Sequence, residues 1–248
     1  MPQRKLRVEL IRHTADPDAA VALAARLCYA AADFGTLRER VASRDQAEFL
    51  RGVLESGHLS TAEHASFTFA VEGVSRSLLA QITRHRIASF SVQSQRYVPM
   101  EDGFDYVVPP AIEALGEPAL ARFHEQMEQM QRWYAQWRHE LGGAGEGSCE
   151  RANEDARFVL PNACATRMLV TMNARELRHF FSLRCCMRAQ WEIRALAWEM
   201  LRQAHCAAPA LFASAGPGCL GGACPEGERS CGRAQAVRRR FAEMQSAR

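Results

Sequence analysis

A polar stretch from residue 81 to residue 97 concentrates side chains that bind anions. It holds Arg84, Arg86 and Arg96 together with a histidine, glutamines and serines, and it has little apolar content. The planar fork of an arginine matches phosphate oxygens, and serine hydroxyls or loop amides can complete an anion site. No acidic residue lies between Glu72 and Glu101, so these arginines lack local carboxylates. The stretch predicts a site for an external anion, with a solvated charge run or an ion-pair network between subunits as the alternative.

A second polar cluster, residues 173–184, repeats this combination on a predicted helix. Arg175, His179 and Leu183 are spaced four residues apart, so one helix face offers a cation, a titratable imidazole and an apolar contact. Such a face suits a large ligand of mixed polarity. Arginine and histidine are also common on ordinary helix surfaces, and the spacing alone does not separate the two interpretations.

The elements that must position these clusters can be read from local signals. Ser75 is placed to cap a helix, and if that helix continues through Arg84, then Gln81, Arg84 and His85 share one face. Asn173, with a glutamate three residues later, is typical of the start of the helix that carries the second cluster. The two clusters are therefore expected at the ends of short elements that leave a strand and enter a helix.

Periodicity gives the remaining framework. Strands are predicted where apolar residues alternate with polar ones. Gly73 is predicted to end the second of these strands. Helices are predicted where apolar residues recur every three or four positions. The predicted strands cover residues 5–11, 67–72 and 167–172, and the predicted helices cover 44–56, 118–141 and 188–206. The pattern favours the α+β class, with a mixed sheet flanked by long helices in a single domain.

Domain organisation follows from composition along the chain. We predict one domain over residues 1–215, followed by a Cys-, Gly- and Arg-rich C-terminal tail, residues 216–248, that has little to bury. The run Gly142–Ser148 is predicted to be a flexible loop, too short to prove a domain boundary. Three cysteines of the tail, with His205 and Cys206 nearby, could supply a metal site, but the stretch lacks the two closely spaced cysteine pairs of many structural zinc sites. We interpret Cys219, Cys224 and Cys231 as reduced thiols and predict no metal.

Composition excludes several classes of protein. Of the 248 residues, 48% are hydrophobic and 24% are charged, which excludes disorder and collagen-like architecture. The formal net charge of +3 is too small to indicate a nucleic-acid or membrane partner. Glu9, Arg12 and His13 interrupt the position where a signal peptide needs an apolar run. We expect a cytoplasmic protein with no membrane span.

Together, the two polar clusters resemble the flavin-dependent thymidylate synthases. The family signature is Arg-His-Arg, seven residues and then serine, and here it is Arg84-His85-Arg86 followed by Ser94. Other blocks occur in the family's order and approximate spacing, so the resemblance extends over most of residues 5–205. These blocks are residues 58–64, 67–69, 156–161, 173–175, 183–184 and 189–192.

The resemblance implies reductive methylation of dUMP to dTMP in a homotetramer whose active sites lie between subunits. It implies FAD as the bound cofactor, with NADPH and methylenetetrahydrofolate as co-substrates. The residues that would bind dUMP are Gln81, Arg84, Val92, Gln93, Ser94, Gln95, Arg96, Arg157 and Arg184. The residues that would hold FAD are Ser60, Glu63, Arg84, His85, Arg86, Val92, Asn173, Arg175 and His179.

The chemistry of the implied reaction assigns the catalytic role to Arg184. Carbon 5 of uracil becomes nucleophilic when negative charge is stabilised at N3 and O4, which a guanidinium can do without a covalent bond. No activated cysteine is needed, and Cys185 and Cys186 are interpreted as packing residues. Ser94 has no predicted base partner and is interpreted as a phosphate ligand.

Four positions depart from the residues that the family often has. The usual residues are asparagine at His179 and Ser91, glutamate at Val92 and histidine at Arg188, and Val92 also occurs in one branch. Two other functions remain open on the residues alone: a nucleic-acid-binding module that uses Arg238–Arg240, and a methyltransferase acting on uracil in RNA. The sequence does not decide between NADPH and NADH, or the order of substrate binding.

Overall fold

The computed structural model describes residues 3–142 and 148–246 of the chain. The middle of the predicted loop, residues 143–147, lies outside the described residues. Four β-strands are present in the described part. They are β1 (Arg7–His13), β2 (Ser66–Ser75), β3 (Ala88–Val92) and β4 (Ala165–Asn173).

Helices surround these strands along the chain. Those before and just after β2 are α1 (Pro17–Leu27), α2 (Phe34–Ala42), α3 (Ala47–Glu55) and α4 (Arg76–Ile82). Those between β3 and β4 are α5 (Pro110–Glu113), α6 (Glu117–Leu141) and α7 (Ser148–Ala156). Those after β4 are α8 (Ala174–Arg184), α9 (Trp191–Ala207), α10 (Pro209–Phe212) and α11 (Ala234–Ser246). Short 3₁₀ segments occur at Leu59–His64, Arg157–Val159, Gly218–Leu220 and Gly227–Arg229.

The four strands form one sheet in the order β1-β2-β4-β3, and neighbouring strands run antiparallel. The predicted α+β class is confirmed. The sheet, which was predicted to be mixed, is antiparallel. Each of the three predicted strands is present, because alternating apolar residues need one buried face of a sheet.

The contacts of the chain divide it into two compact units. The first unit contains residues 3–7, 71–84, 91–142 and 148–169, and the second contains residues 8–70, 85–90 and 170–246. The predicted boundary after residue 215 stays a prediction.

The first unit is organised by α6, which confirms the predicted long amphipathic helix. Met127 of α6 packs in a buried cluster with Phe104 and Tyr106. Trp133 and Trp137, which the periodicity assigns to the same apolar stripe, are each 47% exposed. The stripe of α6 is therefore wider than the face that the described residues cover.

The second unit has an aromatic core. Phe212 of α10 is fully buried, and its ring centroid lies 5.3 Å from that of Phe67 and 5.9 Å from that of Phe181. The prediction that the chain after residue 215 buries little is wrong, because Val237 and Phe241 of α11 are also buried. The apolar residues of α11 are few but lie four positions apart, so both face inward.

Gly73 lies inside β2 rather than ending it. Its φ angle is +69°, and a Cβ atom at this position would lie 2.1 Å from the backbone oxygen of Lys5. The prediction that Gly73 breaks the strand is therefore wrong. Glycine here allows two backbones to approach closely, and β2 continues to Ser75.

We expect Gly73→Ala to lower the free energy of unfolding by about 1 to 3 kcal/mol, because the methyl group meets a carbonyl and φ is positive. Urea denaturation measures this change. Gly52→Ala is the matched control, since a Cβ there has no neighbour within 4 Å in the described structure and alanine favours the interior of α3. Equal losses in both variants would contradict the steric explanation.

Candidate active site

A cleft of about 610 Å³ in the second unit gathers much of the second polar cluster. Four residues of the predicted flavin set contribute to its walls, although they come from positions 63 and 173–179 of the chain. The volume lies within the range of ligand pockets. The residues that line it are Leu59, Glu63, Ile87, Asn173, Arg175, Glu176, Arg178, His179 and Ser182.

The start of α8 positions the polar residues of this cleft. Asn173 is the N-cap, and its side-chain oxygen accepts a hydrogen bond from the backbone N–H of Glu176 at 2.9 Å. The backbone N–H of Ala174 donates to the carbonyl of Ala65 at 2.8 Å, which ties the helix start to the end of the 3₁₀ segment Leu59–His64. A helix N-terminus carries partial positive charge, so this end of the cleft favours an anion.

One ion pair joins two residues that line the cleft. A terminal nitrogen of Arg175 lies 2.5 Å from Oε1 of Glu63. Both side chains are about half exposed, so water screens the pair and either group can turn to a ligand at low cost. The pairing places a donor and an acceptor side by side.

Apolar surface is also available at this cleft. Ile87 is 67% exposed although it is a large aliphatic residue, and it lines the cleft with His179. No role for Ile87 is predicted from the sequence, because one isoleucine between polar residues forms no local pattern. Its exposure beside charged side chains is typical of a site for a ligand of mixed polarity.

His85 does not share a helix face with Gln81 and Arg84. Helix α4 ends at Ile82 with Thr83 as its C-cap, so the condition for a shared face, a helix that continues through Arg84, is not met. The hydroxyl of Thr83 donates to the carbonyl of Leu79 at 2.9 Å, a side-chain bond that competes with continued helix. The chain leaves the helix just before the Arg-His-Arg signature.

The side chain of His85 is buried and bonded at both ring nitrogens. Nδ1 lies 2.9 Å from Oε1 of Glu176, and Nε2 lies 3.1 Å from Nε of Arg184. Burial lowers the pKa of His85, the bond to Glu176 raises it, and the charges of Arg184 and His179 lower it. The imidazole is therefore held neutral near pH 7. Contact between His85 and a flavin stays a prediction. Because both ring nitrogens are hydrogen-bonded, only the backbone of His85 or the carbon edge of its ring could make that contact.

Glu176 is a buried acid that the sequence analysis used only as part of a helix start. Its carboxylate points to His85, which is 91 residues away in the chain. No local pattern could reveal this pairing, because the sequence signal at Glu176 is equally well explained by helix capping.

The first unit holds the rest of the signature region. The backbone N–H of Gln93 donates to the carbonyl of Arg167 at 3.0 Å, and the hydroxyl of Ser94 accepts from the N–H of Arg96 at 3.1 Å. A terminal nitrogen of Arg76 donates to the carbonyl of Gln93 at 3.2 Å. These bonds hold residues 93–96 in a defined turn after β3.

Arg96 does find acidic partners, from a distant helix. Its guanidinium lies 2.8 Å from a carboxylate oxygen of Glu150 and 3.2 Å from one of Glu154, both on α7. The neighbouring sequence holds no acid, but Glu150 lies 54 residues further along the chain, so the absence of local carboxylates does not leave Arg96 unpaired. Arg84 and Arg86 are exposed, and neither side chain has a polar partner among residues 3–142 and 148–246.

A second cleft, of about 460 Å³, lies in the first unit and includes Gln93. It is bordered by basic residues that the sequence analysis did not single out, Arg4, Lys5, Arg7 and Arg167, with Glu72 and Asp105 among them. Arg4 pairs with Asp105 at 2.7 Å. The hydroxyl of Thr166 in this cleft is buried and has no hydrogen-bond partner in the described structure.

The residues predicted to bind dUMP and FAD are divided between the two units. The predicted dUMP residues lie in the first unit except for Arg184, and the predicted FAD residues lie in the second except for Arg84 and Val92. Ser60 and Arg86 are exposed and do not line the 610 Å³ cleft. Gln81 donates to the carbonyl of Ser77 at 3.3 Å, and Arg157 donates to that of Glu154 at 3.1 Å.

Comparisons with known proteins match this chain over nearly its whole length. Residues 9–210 match the family described as thymidylate synthase complementing protein. The flavin-dependent thymidylate synthase of Geobacter sulfurreducens is 52% identical over 240 residues, which cover 96% of this chain and 99% of that protein. The chain belongs to the flavin-dependent thymidylate synthase family. It is accordingly an enzyme of the methyltransferase class.

Two further relatives have the same name and similar coverage. The protein of Nitratidesulfovibrio vulgaris is 52% identical over 242 residues, covering 94% of this chain and 97% of its own. The protein of Clostridium tetani is 45% identical over 241 residues, covering 94% and 96%. The C-terminal tail is therefore largely included in these matches.

Two of the departures from the family's usual residues have different surroundings. His179 is exposed and lines the cleft, with its ring centroid 6.0 Å from that of His85. Arg188 instead pairs with Glu226 and donates to the carbonyl of Arg229 at 3.3 Å. His179 can therefore affect a bound ligand, whereas Arg188 fastens the segment 226–229.

The tail cysteines are free thiols. Cys219 is buried, and burial together with the nearby Cys224 raises its pKa. Among residues 3–142 and 148–246, no three or more Cys, His, Asp or Glu side chains are arranged to hold a metal ion. No helix in the same ranges has the length and apolar character needed to cross a membrane.

Proposed function

We propose that this chain converts dUMP to dTMP, taking a methylene group from methylenetetrahydrofolate and electrons from NADPH through bound FAD. The enzyme acts in the cytoplasm as a homotetramer with interfacial active sites. The observation that carries the proposal is the 610 Å³ cleft, where Glu63, Asn173, Arg175 and His179 line one cavity. The names of the curated relatives support it.

The residues of the cleft fit a flavin nucleotide. Arg175 and the N-terminus of α8 are suited to phosphate oxygens, since both favour negative charge. The exposed Ile87 is suited to a flat ring system, which would remove its apolar surface from water. A bound flavin supplies two-electron redox chemistry between the nicotinamide and the one-carbon unit.

The nucleotide would be held by the turn that follows β3. Ser94 and backbone amides near it can bind phosphate, and Arg84 is an exposed cation with no partner in the described residues. Arg96 is already neutralised by two carboxylates, so a phosphate would have to displace one of them. We therefore expect Arg84 to bind the phosphate more strongly than Arg96.

Arg184 would activate the pyrimidine. Its Nε is occupied by His85, and its two terminal nitrogens have no hydrogen-bond partner in the described structure. Those two donors can bind the O4 and N3 edge of uracil and stabilise the charge that develops there. The residues that bind the phosphate can belong to one subunit of the tetramer, and Arg184 to another.

The proposal includes no enzyme nucleophile. Cys185 is fully buried, and burial raises its pKa, so the thiol stays protonated and unreactive. The hydroxyl of Ser94 accepts from the N–H of Arg96. Within the described ranges no imidazole or carboxylate is hydrogen-bonded to that hydroxyl, so nothing there would activate it.

Two measurements test the proposed function. Purified protein is expected to show the visible absorbance of an oxidised flavin, which dUMP perturbs on titration. With NADPH and methylenetetrahydrofolate, it is expected to release tritium from carbon 5 of free dUMP. Release from uracil in RNA but not from dUMP would replace the proposal with an RNA methyltransferase. A colourless protein with a steep salt dependence of nucleic-acid binding would replace it with a binding module.

We expect Ser94→Ala to weaken dUMP binding about 10- to 100-fold, because a hydrogen bond to a charged phosphate is lost. Turnover at saturating dUMP stays measurable. Flavin-absorbance titration gives the affinity, and Ser43→Ala, at the C-terminus of α2, is the control with unchanged affinity. Loss of all product with intact dUMP affinity would instead indicate a nucleophilic serine.

A further inference from the structure

Three side chains form a continuous hydrogen-bonded chain that ends at the proposed catalytic group. Glu176 bonds to Nδ1 of His85 at 2.9 Å, and Nε2 of His85 bonds to Nε of Arg184 at 3.1 Å. Glu176 and His85 are both buried, at 7% and 6% exposure. Arg184 is partly exposed, so the hydrogen-bonded side chains lead from the interior to an accessible guanidinium.

The chemistry of the groups decides which atom carries each proton. The Nε of a guanidinium only donates, so Nε2 of His85 must accept and carry a lone pair. An ionised Glu176 only accepts, so Nδ1 of His85 must carry the hydrogen. Only one neutral tautomer of the imidazole satisfies both bonds, and the carboxylate selects it.

The imidazole itself has little freedom to turn. Its ring centroid lies 5.0 Å from that of Phe180 at an interplanar angle of 78°, and 6.0 Å from that of His179 at 62°. Glu176 is fixed in turn, because its backbone N–H is held by the side chain of Asn173. The direction in which His85 presents its lone pair is therefore determined by α8.

Arg184 depends on this lone pair for its orientation. The bond from its Nε to His85 is its one side-chain hydrogen bond within the described residues. With Nε held by His85, the end of the planar group that carries the two terminal nitrogens remains available to a ligand. A long arginine side chain without such an anchor would sample many rotamers.

We infer that Glu176 and His85 are positioning residues, which orient the guanidinium of Arg184 toward the pyrimidine without contacting it. This inference rests on the proposed function. Turnover then needs a neutral His85 imidazole with its lone pair at Nε2.

The inference implies a pH dependence with a definite sign. The charged or titratable groups that face His85 are Glu176, Arg184 and His179. Burial is the largest cause and lowers the pKa of His85, the hydrogen bond to Glu176 opposes it, and Arg184 lowers the pKa further. Protonation at Nε2 abolishes the acceptor and places two cations in contact. Turnover is therefore full above this lowered pKa and falls as the pH drops through it.

Two variants of His85 separate positioning from packing. In His85→Gln the amide oxygen can reach the place of Nε2 and accept from Arg184, whereas in His85→Asn the shorter amide reaches only the place of Nδ1. We expect His85→Asn to lose about 100-fold in turnover, as for a displaced catalytic group, and His85→Gln to lose less than 10-fold. The KM for dUMP and the flavin content are expected to change little in both. Tritium release from dUMP measures the turnover.

The fall in turnover at low pH, the acid limb of the pH profile, gives a second and independent readout. It is expected to disappear in His85→Gln, which cannot be protonated, and to persist in His179→Asn. Glu176→Gln is expected to lower turnover, whereas Glu199→Gln, which removes a carboxylate paired with Arg202 on α9, leaves it unchanged. If His85→Asn does not fold, the limb in His85→Gln decides.

Equal turnover in the two His85 variants, or an acid limb that survives in His85→Gln, would overturn the inference. Failure of the proposed function looks different, because the wild-type protein itself would then release no tritium from dUMP. If the wild type is active but His85→Asn and His85→Gln have equal turnover, only the positioning role is removed.

Discussion

Replacing Arg184 by lysine is expected to raise the activation free energy of the chemical step by about 2 to 4 kcal/mol, which corresponds to a loss of about 30- to 1,000-fold in rate. The physical reason is the shape of the cation. A guanidinium can donate from Nε to His85 while its two terminal nitrogens remain free for the pyrimidine. An ammonium is a point charge and cannot do both. Tritium release from dUMP under single-turnover conditions measures the step.

The Arg184 variant has a control on a neighbouring helix. Arg202 pairs with Glu199 on α9, and Arg202→Lys keeps that charge pair, so its rate is expected to equal that of the wild type. Flavin absorbance must be retained in Arg184→Lys for the comparison to hold. Near-normal turnover in a flavin-loaded Arg184→Lys protein would remove the assigned role.

Replacing Phe212 by alanine is expected to lower the free energy of unfolding by about 3 to 5 kcal/mol. The ring is fully buried, and it meets Phe67 and Phe181 edge to face. The substitution removes buried apolar area and leaves a cavity that packed rings cannot readily close. Thermal or urea denaturation of the flavin-loaded protein measures the loss.

A surface phenylalanine supplies the matched comparison for Phe212. Phe158 is 83% exposed, and Phe158→Ala is expected to change stability by less than about 0.5 kcal/mol. A similar loss in both variants would contradict the placement of α10 in the core. This pair also tests a segment that sequence periodicity did not identify as structured.

Local features were readable from the sequence because their causes are local. The N-caps Ser75 and Asn173 are found where they were predicted, since each side chain binds a backbone N–H three residues away. Helix α6 and strand β4 were likewise predicted from residues that repeat on one face. In all four cases the deciding contacts lie within a few residues, or depend only on the existence of one apolar surface.

Errors arose where a distant segment decides the outcome. Gly73 was expected to end a strand, but the close approach of Lys5 makes glycine necessary within it. Arg96 has no carboxylate in the neighbouring sequence and was predicted to await an external anion, but α7 brings Glu150 and Glu154 to it. Residues 234–246 were expected to bury little, but α11 packs two of its side chains inward.

Motifs and periodicity were enough to indicate the family, to predict the long helix and three of the strands, and to select the residues that we propose bind flavin and nucleotide. Spacing and composition carry that information because motifs and periodicity are properties of the chain alone. Only the tertiary structure decided that Glu176 holds His85 and that His85 holds Arg184, across 91 and 99 residues. A hydrogen bond depends on distance and direction in space, and separation along a folded chain specifies neither.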